Sequence, residues 1–205
     1  MIISFINQKG GCGKTTFAVN FAVMSAINGY STILVDMDPQ RSSVNFRALR
    51  PDDRPQFKAV SVLTPTIHKD IKGGGFNFEH VFIDSGGRDS VLFRSAMAAS
   101  DKVVIPVIPG QFDIWALEDT FKVLEEARQY NEKCQAYIAL NHVIHNTVIS
   151  KDAISYIANF AAEKGLILCK SLIYSRVGYI ESSQNGLGVA EMTGRKYEQA
   201  KSDIT

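Results

Sequence analysis

The stretch Lys9-Gly10-Gly11-Cys12-Gly13-Lys14-Thr15-Thr16 constrains this chain more than any other. Before it stands a short apolar run, Ile2 to Ile6, that reads as a buried strand, and after it residues 14–28 read as a helix. In that helix Phe17, Phe21, Met24 and Ile27 fall on one stripe, and Gly29 stops it. A glycine-rich turn between strand and helix exposes several backbone N–H groups at the positive end of the helix dipole, an arrangement that binds phosphate oxygens. Gly10, Gly11 and Gly13 let the backbone approach closely. Lys14 is placed to reach the β- and γ-phosphates, and the Thr15 hydroxyl to ligate Mg²⁺. The strict pattern G-x-x-x-x-G-K-[ST] fails at its first position, which is Gln8.

Further β-branched runs at 32–36, 81–84, 102–108, 136–141 and 167–174 alternate with helical stretches at about 88–99, 113–130, 151–164 and 188–202. This predicts an α/β fold, a mostly parallel twisted sheet with helices on both faces, in one domain over 1–205. The segment 50–75, with Pro51, Pro55, Pro65 and Gly73-Gly74-Gly75, predicts loops around one short strand near 58–63.

Three carboxylates stand where such a sheet binds ligands. Asp36 and Asp38 lie two apart at the end of the second strand, so both can face the phosphate loop. On residue type alone, two acids at a strand end are more often helix N-caps. Asp84 ends the run Val81-Phe82-Ile83, a Walker B pattern whose aspartate meets Mg²⁺. Asn141 closes a later strand with an amide that offers both donor and acceptor, as an adenine edge requires.

The string from Asn7 to Thr16, KGGxGKTT at its heart, resembles the ParA/MinD family of deviant Walker A ATPases, and Asp36-Met37-Asp38-Pro39-Gln40 resembles the same group. The resemblance spans residue 2 to about 195 and is most specific at 7–16. It implies slow Mg²⁺-dependent ATP hydrolysis, with Lys14 catalytic and Gly10 to Thr16, Cys12 included, holding the nucleotide. It implies that Lys9 reaches the partner's phosphates in an ATP-sandwich homodimer, that Asp38 orients the attacking water, and that Asp36 sits near the metal. Asn141 would contact the base. Arg176, in Ile173-Tyr174-Ser175-Arg176, would stack on adenine or face DNA. The stretch Ser85-Gly86-Gly87-Arg88 departs from the family's commoner proline-containing sequence, yet its glycines suit a switch loop. The implied partners are non-specific nucleoid DNA and a centromere-binding ParB-type protein. Because the chain starts one residue before its first strand, the N-terminal DNA-binding domain of larger relatives is expected to be absent.

Composition narrows the alternatives. With 45% hydrophobic and 21% charged residues, and no apolar run near the roughly 18 residues a membrane span needs, a cytoplasmic globular protein without signal peptide or membrane anchor is expected. The scattered Cys12, Cys134 and Cys169 read as reduced thiols, without the spacing a cluster-bridging redox relative would need. The tail from Arg195 to Thr205 has too little apolar area for a MinD-like membrane helix. A ParA-like protein that assists conjugative DNA transfer stays open. His68, His80, His142 and His145 show no ligand spacing and read as structural. Trp115, Tyr174 and Tyr179 read as core or dimer-interface aromatics.

Overall fold

A computed structural model describes residues 1–87, 91–144 and 148–204. Its strands are β1 Ile2–Phe5, β2 Thr32–Met37, β3 Lys58–Ser61, β4 His80–Ser85, β5 Lys102–Val107, β6 Gln135–Leu140 and β7 Ile167–Leu168. They form one parallel sheet in the order β3-β2-β4-β1-β5-β6-β7. The helices are α1 Lys14–Ile27, α2 Ser42–Ala48, α3 Ile67–Lys72, α4 Val91–Ala99, α5 Gln111–Arg128, α6 Val148–Glu163, α7 Val177–Gln184 and α8 Glu198–Ile204.

Strand alternation divides the core between two faces. Ile3, Phe5, Leu34 and Phe82 pack with α1, with Phe46 of α2 and with Val189, Ala200 and Ile204 of the tail. Ile33, Val35 and Ile83, then Val103, Ile105 and Ile138, point the other way onto α3 to α6. Phe5, fully buried, packs with the rings of Phe17, Phe21 and Phe82 at centroid distances of 5.2–6.3 Å. Truncating such a residue to alanine costs about 3–5 kcal/mol. The chain leaves β1 for β2 on one side and enters β5 on the other. The crevice at the carboxyl end of β1 is therefore the switch point where folds of this kind take ligands.

Several expectations need correction. The run at 167–174 pairs as a strand only at Ile167–Leu168; beyond it the chain continues beside β6 through single hydrogen bonds such as Ile173 N–H to Leu140 O. The helix expected over 188–202 is instead a 3₁₀ turn at Val189–Glu191, another at Arg195–Tyr197, and α8. Gly194, at φ 113°, separates the turns in a conformation a helix cannot contain. Helix α3 occupies a segment expected to be loops, and α2 and α7 are helices where none was expected. On α1, Ile27 is exposed, while Ala18, Ala22 and Val23 are buried because the tail covers a second side of the helix. Trp115, read as a core or dimer-interface aromatic, is half exposed and so outside the core of this chain. The first three positions of the helix expected at 88–99, Arg88 included, lie outside the described residues, as do His145 and Thr205.

Candidate functional site

The phosphate loop leaves β1 already pinned. Buried Asn7 donates through Nδ2 to Pro106 O at 2.8 Å and accepts the Lys9 N–H at 2.9 Å, and Gln8 N–H donates to Thr120 Oγ1. Gly11 and Gly13 then take φ of 77° and 104°, which turns the chain into α1. A Cβ on Gly13 would lie 2.1 Å from Asn141 Nδ2, so only glycine fits there. Cys12 is fully buried beneath the loop; its Sγ faces Lys9 O at 3.4 Å, and burial pushes its thiol pKa up, away from a reactive thiolate.

Lys14, 7% exposed, curls its ammonium back over the loop onto Lys9 O at 2.8 Å. Among the described residues no carboxylate pairs with it. A buried cation whose partners are the Lys9 carbonyl and, at 3.9 Å, the Cys12 sulfur is a receptor for an anion. Gly86 and Gly87 cross the mouth of the loop. A Cβ on Gly87 would come within 3.3 Å of Lys14 Nζ and 3.4 Å of Gly10 N, and one on Gly86 would sit 3.7 Å from Asp38 Oδ2. The switch segment thus lies between the loop and the second acidic arm, where a terminal phosphate would push against it.

Asp84 stands at the floor. Its Oδ2 accepts hydrogen bonds from Thr15 Oγ1 at 2.8 Å and Ser43 Oγ at 2.6 Å, while its Oδ1 is buried with no partner. Burial raises its pKa from 3.8 to about 6. An orphaned carboxylate oxygen beside the Thr15 hydroxyl suits a hard divalent cation. Among the described residues no group of three His, Cys, Asp or Glu is placed to hold a metal. Mg²⁺ takes one or two protein oxygens and completes its shell with phosphate and water, and the Thr15–Asp84 pair is compatible with that.

Asp36 and Asp38 separate in role. Asp36 is fully buried and accepts three hydrogen bonds from backbone: Oδ1 takes the Asp38 N–H at 3.0 Å, and Oδ2 takes those of Ser43 at 2.8 Å and Val44 at 3.1 Å. It organises the start of α2 and lies in register beside Asp84. Burial raises its pKa despite those three bonds. Asp38 is half-buried, takes the Gln40 N–H on Oδ1 at 2.9 Å, and lines the cleft.

Three other sequence candidates have partners of their own. Lys9 does not project outward: its Nζ lies 2.6 Å from Asp113 Oδ2 and 6.0 Å from the Phe112 ring centroid. Asn141 gives one of its two amide N–H donors to Cys12 O at 2.7 Å and so braces the phosphate loop. Arg176 is bound to Asp203 and to Gln199 Oε1, and its guanidinium lies 5.1 Å from the Tyr174 ring centroid.

The cleft holds about 870 Å³ and is walled by Gly10 to Thr16 on one side and by Met37 to Gln40, Gly86 and Gly87 on the other. Its volume suits a nucleotide. His142 also lines it, at φ 50°, exposed and directly after Asn141, which corrects its reading as a structural histidine. Ser43, Asp113 and His142 are the residues that sequence reasoning missed. None belongs to a spaced motif, and each meets the site through the fold. His80, by contrast, is structural as expected, on Ser25 Oγ at 2.8 Å.

Comparison with known proteins agrees with this geometry. Residues 3–189 match the family described as CobQ/CobB/MinD/ParA nucleotide binding domain. Over 147 residues, 68% of this chain and 65% of the relative, the sequence is 31% identical to Maintenance of carboxysome distribution protein A of Halothiobacillus neapolitanus. It is 30% identical over 166 residues, 62% of this chain, to Sporulation initiation inhibitor protein Soj of Bacillus subtilis, and covers 64% of it. The chain thus spans just under two thirds of the length of these relatives. Apo McdA of Cyanothece superposes with a TM-score of 0.78 over 99% of this chain and 97% of its own, at 15% identity, a likeness of fold.

Proposed function

The chain belongs to the CobQ/CobB/MinD/ParA nucleotide-binding domain family, and from that premise we propose that it is an ATP-hydrolysing positioning protein of the ParA type. One observation carries the reading: a buried, carboxylate-free Lys14 curled inside a glycine loop, with Asp84 Oδ1 unpartnered beneath it. Both are groups waiting for charge of opposite sign.

In this mechanism the loop N–H groups and Lys14 take the β- and γ-phosphates, and Lys14 exchanges Lys9 O for phosphate oxygen. Thr15 and Asp84 would hold Mg²⁺, which when bound neutralises charge that develops on the transferred phosphoryl group. Asp38, across the cleft beside Gly86, holds the attacking water in line. Lys9 leaves Asp113 and supplies a second cation to the phosphates of a partner copy, the work an arginine finger does elsewhere.

The ATP-bound dimer binds DNA without sequence preference, and a ParB-type partner stimulates hydrolysis; membership of the MinD/ParA family and the likeness to a carboxysome-distribution protein support a positioning role. The supporting surface is modest. Arg176, Lys196 and Lys201 are paired to Asp203, Glu181 and Glu198, and Arg195 and Lys170 are exposed with no ion pair among the described residues. A membrane-riding alternative has less support, since Ala200 and Ile204 of α8 are already buried in the core and no described helix is long and apolar enough to cross a membrane.

Calorimetry tests the chemistry. Lys14→Ala should lose ATP binding, and undiminished binding would remove the assignment. Asp38→Ala should bind ATP and stall. A mobility shift across a salt series, with ATP and with ADP, tests the DNA step: binding only with ATP and falling steeply with salt is expected, and no ATP-dependent shift at low salt would remove the nucleoid model.

A further inference from the structure

We infer that Ser43 is a positioning residue for the divalent cation, acting through Asp84; the inference rests on the nucleotide reading above. Strands β2 and β4 are neighbours in register, and Asp36 pairs directly with Asp84. Two buried carboxylates therefore stand side by side, and Asp36 raises the charge cost of Asp84. Ser43, fully buried at the start of α2, donates to both. Its backbone N–H goes to Asp36 Oδ2 at 2.8 Å, and its hydroxyl goes to Asp84 Oδ2 at 2.6 Å.

The consequence is orientational. Asp84 Oδ2 carries two hydroxyl donors, Ser43 and Thr15, and cannot rotate away from them. Oδ1 is the oxygen left bare. Thr15 is itself a candidate ligand and must turn an oxygen lone pair toward the cation. Ser43 is the donor that has no other task, so it fixes which Asp84 oxygen faces the metal. Asp36 in turn fixes Ser43 by holding the N–H groups of Ser43 and Val44, and with its other oxygen it holds the N–H of Asp38. One buried carboxylate thereby ties the cation arm and the water-positioning arm of the cleft to the same point. A serine in the first turn of a helix usually serves local capping. Here the hydroxyl leaves its own helix for a residue 41 positions away.

Outer partners of a metal-binding carboxylate typically change metal affinity by about 10–100-fold when removed. The test titrates MgCl₂ into wild type, Ser43→Ala and Ser43→Thr with a fluorescent ATP analogue, and repeats analogue binding in EDTA. Ser43→Ala should need about tenfold more Mg²⁺ for half-maximal stimulation of binding. Its affinity in EDTA should equal that of wild type, and Ser43→Thr, which keeps the hydroxyl, should stay within about twofold. If Ser43→Ala does not fold, Ser43→Cys, of similar size and a weaker donor, should shift the same way. An unchanged Mg²⁺ requirement in the alanine variant overturns the inference. So does an equal loss in EDTA, which would mean general damage to the loop. A wild-type protein that binds no analogue under any condition sinks the nucleotide reading itself, and the inference with it.

Discussion

The ammonium of Lys9 lies 2.6 Å from Oδ2 of Asp113, a carboxylate whose side chain is only 7% exposed and whose Oδ1 has no partner. The lysine that the proposed dimer needs in trans is thus held in cis, in the first turn of α5. Its departure strands a buried charge, so the pair opposes dimerisation. Asp113→Asn removes that charge and keeps the shape. With a non-hydrolysable ATP analogue, it should tighten self-association about fivefold, near 1 kcal/mol for a partly exposed pair. Lys9→Ala should bind nucleotide and fail to dimerise. Sedimentation of the two variants separates the ideas. Equal dimers from wild type and Lys9→Ala end the trans role; unchanged affinity in Asp113→Asn ends only the restraint.

Asp84 makes the stability of the metal-free protein depend on pH. Burial raises its pKa from 3.8 to about 6, so folding favours the protonated acid. The stability it contributes is complete below pH 4 and is lost as pH rises through about 6. Above that window the fold carries a buried charge worth about 3 kcal/mol at most. Asp84→Asn does not titrate and keeps an oxygen for Thr15 and Ser43. In EDTA at pH 7.5 it should melt several degrees above wild type, with the gap closing between pH 6 and 4. A gap that stays constant across that range would show that the carboxylate is not desolvated as the geometry implies.

Two glycines of the phosphate loop should respond oppositely to a methyl group. At Gly13 the added Cβ would meet Asn141 Nδ2 at 2.1 Å, and Asn141 cannot retreat without breaking its bond to Cys12 O. Its φ of 104° also opposes any side chain. Gly13→Ala should cost about 2 kcal/mol or more and abolish nucleotide binding. At Gly10 the Cβ meets nothing within 4 Å, so Gly10→Ala should melt like wild type. Thermal melts of both variants check the contrast. A Gly13→Ala protein of wild-type stability would mean that the Asn141 brace is dispensable.

The same contrast explains what could be read from the sequence. The phosphate loop was legible because its chemistry is local: glycines at positive φ, a lysine and a threonine in consecutive positions between strand and helix. The buried strands were legible because parallel sheets need unbroken apolar runs. Helix α2 was not, because seven residues show little periodicity and its start is capped from Asp36, on the preceding strand. The partners of Asn141, Arg176 and Lys9, which are Cys12 O, Asp203 and Asp113, lie 129, 27 and 104 positions away, so no local pattern reveals them. Ser43 and His142 reach the cleft only through packing.

The tail is held to α2 by a contact that should dominate its stability. The Arg50 guanidinium meets Glu191 with two bonds of 2.8 Å, and neither side chain is more than 4% exposed. Its remaining donors go to Pro55 O and Gly186 O, and Gly186 packs so closely that a Cβ there would sit 2.5 Å from Arg50 N. Removing one partner leaves the other charge buried, which costs about 3–5 kcal/mol. Arg50→Met should therefore lower the melting temperature by roughly 10 °C, at about 2–4 °C per kcal/mol for a chain of this size. Arg50→Lys should not rescue, since one ammonium cannot span two carboxylate oxygens and two carbonyls in that plane. The double variant Arg50→Met with Glu191→Leu should recover the ionic part of the loss but not all of it, because Pro55 O, Gly186 O and the Gly188 N–H lose their partners. Melting curves of the two single variants and the double variant form a cycle that isolates the pair. A double variant no more stable than Arg50→Met would show that the carbonyl contacts, not the ion pair, hold the tail.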